Sequence, residues 1–145
     1  MVHALKETWR VLVPNGSFVD LRPLAGKFPL EVVSHDQVKP AGFVDDTAEI
    51  PTDIACSESL EKVTEQEWFH REREESFDYL WYWDTIDEMK DYMEENWDPT
   101  PILPKMVFSK ARQLLTSSGN GARVRLRMRL LISRYRKRQR PVHAL

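Results

Sequence analysis

The stretch Ala4–Pro23, ALKETWRVLVPNGSFVDLRP, predicts a helix, a tight turn and a short strand in direct succession. Apolar residues recur at the i, i+4 and i+7 positions of one helical face, namely Leu5, Trp9 and Leu12. The segment Val13–Gly16 ends the helix, because its proline disfavours helical backbone before it and Asn-Gly tolerates positive φ. Ser17–Leu21 follows as the strand. A helix that feeds a strand in this way is half of a βαβ unit, whose strand normally lies in a parallel sheet.

The same residues resemble the late segment of class I S-adenosylmethionine-dependent methyltransferases. In that family a helix ending in RVLxPGG is followed by the fifth strand of the sheet. This chain reads RVLVPNG, with Asn15 at a position where the family usually has glycine, and asparagine also reaches the left-handed region. The resemblance implies an α/β to α+β fold: the C-terminal part of a methyltransferase-like sheet, with mixed strands, an antiparallel last strand and helices packed on it.

The resemblance also implies an order of strands. Ser17–Leu21 would be the fifth strand, and FDYLWYW (Phe77–Trp83) the sixth. The segment ARVRLRMRLLISRY (122–135) would be the seventh, antiparallel and inserted between the other two. Its strict alternation of arginine and apolar residues independently predicts a strand with one buried face.

A glycine-rich loop after the first strand holds the cofactor in that family. The chain has five glycines, and no G-x-G-x-G run occurs among them. The nearest pair, Gly119 and Gly121, falls between a predicted helix and the last strand, and so lacks the strand-loop-helix context of that motif. S-adenosylmethionine as cofactor is therefore implied by the resemblance only. We interpret residues 1–145 as a single domain, the C-terminal half of such a fold without its cofactor-binding N-terminal half.

The composition, 41% hydrophobic and 30% charged, is typical of a soluble globular protein. No apolar run is long enough to cross a membrane, and the N-terminus lacks a secretory pattern. A single cysteine, Cys56, excludes an internal disulfide and favours a reducing compartment. We therefore expect a cytoplasmic protein without membrane contact.

Charge is distributed unevenly along the chain. Residues 1–100 hold all 23 acidic side chains and 9 basic ones, whereas residues 101–145 hold the other 12 basic ones. Four of these alternate along the last strand: Arg123, Arg125, Arg127 and Arg129. We favour a structure in which carboxylates cover them, from the acidic segment Glu58–Glu74 or from Asp78. A phosphate-binding surface is the alternative, but no nucleic-acid-binding motif accompanies the charge, and nucleic acid is not expected as a partner.

A loop is predicted over 45–53, followed by a long helix from Ile54 to about Glu74. The next segment, Phe77–Trp83, is apolar or aromatic at nearly every position, which predicts a central or near-central strand buried on both faces. We interpret its aromatic side chains as core, with a base-stacking platform or ligand cage as the alternative.

Three further elements follow from periodicity and turn signals. Leu30–Val33 and Val38–Val44 predict a hairpin. Helices are predicted over Ile86–Trp97, which starts with a capping-box pattern, and over Pro104–Thr116, which starts with proline.

Candidate site residues come mainly from the resemblance. It implies that the C-terminal end of the fifth strand faces the methyl acceptor, so Asp20 and Arg22 are the expected substrate-lining residues, and Tyr82 could border a pocket. The alternative for Asp20 and Arg22, which we favour, is an ion pair at the end of the strand. Catalytic residues stay unassigned, because no Ser/His/Asp set, paired carboxylates or metal-ligand spacing is visible.

Three functions remain open. By resemblance, the chain belongs to a methyltransferase that is inactive without its missing half. Alternatively, it is a non-catalytic interaction module, whose open strand edge at Phe18–Leu21 pairs with a second copy or with the missing N-terminal half. A third possibility is an unrelated small α+β fold whose curved antiparallel sheet forms a ligand pocket.

Overall fold

The computed structural model describes residues 2–97 and 99–139. Four helices occur in these ranges: α1 (Val2–Val11), α2 (Ile50–Glu65), α3 (Ile86–Asn96) and α4 (Lys105–Ser117). The strands are β1 (Ser17–Pro23), β2 (Lys27–Ser34), β3 (Gln37–Asp45), β4 (Phe69–Trp83) and β5 (Arg123–Lys137). None of the described helices is both long and apolar enough to cross a lipid bilayer.

The strands pair in the order β1-β5-β2-β3, and β4 also pairs with β5. β5 runs antiparallel to β1 through residues 130–136 and to β2 through residues 123–126. Asp78 of β4 contacts Arg129, and Asp84, just after β4, contacts Arg123, so β4 and β5 also run in opposite directions. The expected antiparallel last strand is confirmed. The predicted mixed strands are not found in the described sheet, because β5 separates β1 from β4 and no two parallel strands are neighbours.

The chain forms two compact units. The first consists of residues 2–23, 51–77 and 130–139, and the second of residues 24–50, 78–97 and 99–129. The long strands β4 and β5 run through both units, whereas every other strand and every helix named above lies essentially in one of them.

The core of the first unit forms between α1, α2 and the sheet. It contains Leu5, Leu60, Val63, Phe69 and Tyr135. The Phe18 ring of β1 stacks on Tyr135 and meets Phe69 edge-on, each with ring centroids 4.9 Å apart. Such aromatic pairs contribute about 0.5–1.5 kcal/mol beyond the burial of their area.

The core of the second unit forms where α3 and α4 cover β2, β3 and β5. Its fully buried members include Leu30, Val44, Ile86, Met89, Val124 and Leu126. Thr85 and Glu88 form the predicted capping box at the start of α3. The hairpin of β2 and β3 and the two helices are confirmed, with bounds within a few residues of those predicted.

The long predicted helix is wrong at both ends. It starts at Ile50, after β3 has run to Asp45 and a short 3-10 turn has followed, so the predicted loop over 45–53 is also wrong. It ends at Glu65, since Glu67 takes a left-handed φ of 58° that a helix cannot continue. The charged residues 70–74 belong to β4 instead. Their sequence has no apolar periodicity, so only pairing with β5 determines their conformation.

The segment Phe77–Trp83 is a strand, but it is not buried on both faces. Phe77, Tyr79, Leu80 and Tyr82 are each 39–44% exposed. β4 pairs with β5 on one side, and no other described strand pairs with it. An aromatic run therefore marks an edge strand here, contrary to the prediction of a central one.

Candidate functional site

Asp20 and Arg22 form an ion pair on β1. Nε of Arg22 lies 3.2 Å from Oδ2 of Asp20, and both atoms are buried without a hydrogen bond in the described structure. The guanidinium also donates to α2, from Nη1 to the main-chain oxygen of Asp53 (3.1 Å) and from Nη2 to Oγ of Ser57 (2.8 Å). Only 13% of the Arg22 side chain is exposed. The favoured interpretation, an ion pair at the strand end, is confirmed, and contact with a methyl acceptor stays a prediction.

Tyr82 is part of the second unit, whereas Asp20 and Arg22 are part of the first. The guanidinium carbon of Arg123 lies 5.4 Å from the Tyr82 ring centroid, in a cation–π contact. Arg123 also donates to Asp84 over 2.9 Å. Tyr82 thus belongs to a charged strip along β4 and β5, and its role at a pocket also stays a prediction.

The other aromatic side chains of this region pack on one another. Ring centroids are 5.2–6.3 Å apart in a cluster of four residues, Trp81, Trp83, Tyr92 and Trp97. These are direct ring contacts, which leave no space for a base or a ligand between the rings. The interpretation as core is confirmed for Trp81 and Trp83, which pack against the core of the second unit, and is wrong for Phe77, Tyr79 and Tyr82, which are 39–44% exposed.

Carboxylates cover the arginines of the second unit. Each guanidinium contacts an acid: Arg123 with Asp84, Arg125 and Arg127 with Glu31, and Arg129 with Asp78. Asp78 was predicted as a source of this charge. Glu31 and Asp84 were not, because a glutamate inside a predicted apolar strand carries no signal of its partner across the sheet.

Glu31 is the centre of this arrangement. It is 6% exposed, and its two oxygens accept from Arg125 Nη2 at 2.7 Å and Arg127 Nη2 at 2.8 Å. Burial by itself would lower the pKa of Arg125, but hydrogen bonds to Glu31 and Tyr82 outweigh it, so that pKa is raised. One buried carboxylate therefore binds both guanidinium groups.

Glu72 plays a similar role in the first unit. Its carboxylate accepts from Arg136 and lies 2.9 Å from Nε of Arg134. The hydrogen bond from Arg136 lowers the pKa of Glu72 most, against a smaller opposing effect of burial. Glu72 belongs to the acidic segment expected to cover the basic residues, but it does so from a strand rather than from a helix.

A cavity of about 440 Å³ opens between α3 and α4 in the second unit. Met93, Leu103 and Phe108 give it apolar walls, and Lys90 and Lys105 also line it. Glu94 also lines it and lies 3.2 Å from Nζ of Lys90, so the lining combines an apolar wall with charges of both signs. The sequence analysis missed it, although a proline-rich stretch between two amphipathic helices was a signal that could have indicated it.

The outer edge of β1 is unpaired in the described sheet, because β1 pairs with β5 alone. Val19 and Leu21 of this strand are 57% and 56% exposed. The open edge predicted at Phe18–Leu21 is therefore present in the described residues.

Among residues 2–97 and 99–139, no three His, Cys, Asp or Glu side chains are arranged to hold a metal ion. Comparison of the chain with models of protein families, with curated proteins and with solved structures gives no significant match.

Proposed function

We propose that this chain is the acceptor-side part of an S-adenosylmethionine-dependent methyltransferase, completed at the outer edge of β1 by a segment that carries the cofactor loop. The observation that carries this proposal is the place of β5 between β1 and β4, antiparallel to both. The resemblance implies the same order for its fifth, seventh and sixth strands. Across β5 from β1, however, lies the charged part of β4 around Glu72, whereas Phe77–Trp83 lies beside residues 123–129 of β5. The resemblance assigned these strands from Ser17–Leu21, Phe77–Trp83 and 122–135.

The edge of β1 supports the same proposal. A strand with free main-chain groups and exposed Val19 and Leu21 is a template for a further strand. In the proposed enzyme, that strand and the glycine-rich loop come from a segment other than residues 1–145. Methyl transfer needs mainly proximity and alignment of donor and nucleophile. This chain would contribute the residues that line the binding site of the methyl acceptor.

The first experiment is a calorimetric titration of purified residues 1–145 with S-adenosylmethionine. We expect no heat of binding, because the chain has no glycine-rich loop to hold the cofactor. Binding at micromolar strength would contradict the assignment of the cofactor loop to another segment, while leaving a methyltransferase role in place.

The second experiment restores the missing half. Residues 1–145 are placed after the N-terminal half of a characterised class I methyltransferase, and the chimera is titrated with S-adenosylmethionine. We expect micromolar binding, together with slower hydrogen exchange of the β1 amides than in residues 1–145 alone. A chimera that is folded by circular dichroism but does not bind the cofactor would overturn the proposal.

A matched pair of substitutions tests the edge in this chimera. Val19→Asp places a charge at the proposed junction, whereas Val38→Asp makes the same change at an exposed position of β3. We expect only Val19→Asp to weaken cofactor binding. Equal affinities for the two variants would argue against docking at β1.

A further inference from the structure

We infer that the second unit binds the phosphate group of a small phosphate monoester in a cleft beside the start of β2. The cleft has a volume of about 350 Å³ and lies within this unit. It is lined by the loop before β2 and by three strands, through Leu24–Pro29, Asp78, Arg127 and Arg129. This inference is independent of the proposed function, since it concerns neither the edge of β1 nor S-adenosylmethionine.

The cleft lies where β5 changes its partner strand. β5 pairs with β2 through residues 123–126 and with β1 through residues 130–136. Between these ladders, residues 127–129 have no partner among the described strands on that side. In the register of the first ladder Pro29 would lie opposite Arg127, and proline has no N–H to donate to it. The pairing of β2 with β5 therefore stops there, and the sheet has a gap beside the cleft.

Three cationic side chains line the cleft. They belong to Lys27 of β2 and to Arg127 and Arg129 of β5. The two arginine side chains are 40% and 54% exposed, so a ligand in water can reach them. Of the three nitrogens in the Arg127 guanidinium, only Nη2 donates to a partner in the described structure, and that partner is Glu31. Donors of this guanidinium therefore remain for an anion.

The carboxylate of Glu31 balances only half of the charge beside it. It is buried and binds both Arg125 and Arg127, which together carry two positive charges. One positive charge beside the cleft is therefore left without a counter-charge. An anion at the exposed part of Arg127 would supply it, while the buried acid holds the guanidinium in place.

Lys27 adds to this excess of positive charge. It is exposed at the start of β2 and takes part in no ion pair of the described residues. Asp45 lies opposite it on β3, but Oδ1 of Asp45 accepts from Thr47, from the main-chain N–H over 2.9 Å and from Oγ1 over 2.6 Å. Arg129, in contrast, contacts Asp78 over 3.0 Å. Even with Asp45 and Asp78 counted, the cations around the cleft outnumber the carboxylates.

A phosphate monoester fits these features better than a carboxylate does. It carries nearly two negative charges at neutral pH and three terminal oxygens, which can accept from side chains on different strands. Guanidinium groups bind such oxygens through paired hydrogen bonds, and a lysine adds a point charge. The volume of the cleft is near the lower limit for ligand pockets, so only a small organic group can accompany the phosphate.

The first test is an NMR titration of the isotope-labelled chain with inorganic phosphate and with glycerol 3-phosphate, at an ionic strength held constant with chloride. We expect saturable shifts of the amides of residues 24–28 and 127–129 with both compounds, and none with glycerol. Shifts that do not saturate, or that centre on other residues, would overturn the inference.

Matched substitutions test which charges bind the phosphate. Lys27→Gln should weaken the binding of glycerol 3-phosphate about tenfold, because a charged hydrogen bond is lost. Lys110→Gln makes the same change at an exposed lysine of α4 that does not line the cleft, and should leave the affinity unchanged. Asp78→Asn should strengthen binding, since it removes the acid that competes for Arg129. Equal affinities of the two lysine variants, or weaker binding by a folded Asp78→Asn variant, would overturn the inference.

Two further ligands test the source of the phosphate. Phosphatidic acid presents the same monoester on a membrane, and a single-stranded oligonucleotide presents phosphate diesters along a chain. We expect the chain to stay in solution when vesicles of phosphatidylcholine and phosphatidic acid are sedimented, and glycerol 3-phosphate to bind more tightly than one nucleotide of the oligonucleotide. Binding to the vesicles or to the oligonucleotide without binding to glycerol 3-phosphate would overturn the assignment to a small ester.

Discussion

Asp20 Oδ2 and Arg22 Nε lie 3.2 Å apart on β1, and the same guanidinium also bridges to α2. Arg22, which the sequence analysis put forward for a substrate together with Asp20, therefore joins a strand to a helix in the first unit. Removal of Arg22 should therefore lower the stability of the fold, whatever its effect on activity.

Arg22→Ala should lower the free energy of unfolding by about 1.5–3 kcal/mol, because hydrogen bonds from a charged group to Asp53 and Ser57 are lost and Asp20 is left without its cation. Arg22→Lys should recover only part of this loss, since an ammonium lacks the planar fork. Urea unfolding followed by circular dichroism measures both. An Arg22→Ala variant as stable as the wild type would show that the bridge to α2 contributes nothing.

Glu31→Ala should be among the most damaging single changes in the second unit. It leaves Arg125 and Arg127 side by side without their shared carboxylate, and breaking a buried pair costs roughly 3–5 kcal/mol. Glu31→Gln should cost less, because the amide oxygen still accepts from one arginine. The matched control is Asp84→Asn, which removes an exposed partner of Arg123 and should cost about 0–1 kcal/mol. Similar losses for Glu31→Ala and Asp84→Asn, measured by thermal unfolding, would contradict this ranking.

Stability should fall on the acid side through Glu72. Its pKa in the folded protein is lowered from the ordinary value of 4.5, so the folded state binds this proton less readily than the unfolded state. The stabilising contribution is therefore complete above that ordinary value, and it is lost as the pH falls below it and through the lower pKa of the folded state. Between about pH 5 and pH 3, the Tm of the wild type should drop more steeply than that of Glu72→Gln. Identical slopes in a series of thermal melts would exclude Glu72 as a source of acid sensitivity.

Gly42→Ala should destabilise the contact between β3 and α4. A Cβ at Gly42 would lie 2.7 Å from Cγ2 of Val107, and the residue has a φ of 143° that side chains rarely adopt. Strain and overpacking each cost about 1–3 kcal/mol. Gly119→Ala is the control, since it has positive φ but open space around the added carbon. Equal losses of unfolding free energy would mean that backbone strain alone, without the contact to Val107, accounts for the effect.

Local signals predicted most of the helices and strands. The turn at Asn15, the capping box at Thr85 and the alternation along β5 each act within a few residues, so the printed sequence is enough to recognise them. Residues 66–74 lacked such a signal. Their charges suit a helix or a strand equally, and the prediction failed there.

The alternation along β5 predicted a strand with one buried apolar face, which is confirmed through Met128, but it did not predict that the buried positions change further along the strand. Val124, Leu126 and Met128 are buried in the second unit, whereas the odd-numbered Ser133 and Tyr135 are buried in the first. The buried positions change from even-numbered to odd-numbered residues across Leu130–Ile132. These three residues are all apolar, so the alternation does not indicate there which side chains are buried. Similarly, the aromatic composition of residues 77–83 predicted a buried strand. The exposure of a strand depends, however, on which other elements of the fold cover it.

The sequence by itself determined where most helices and strands form, that one strand carries a row of arginines, and that acids elsewhere in the chain outnumber bases. Those properties depend on residue type and on spacing of a few positions. Only the tertiary structure decided that Glu31 and Glu72 are the acids that bind arginines of β5, that Arg22 bonds to α2, and that β4 is an edge strand. The physical reason is that these contacts join residues far apart in the chain. The free energy of a charge depends on which partner and how much water the fold places around it.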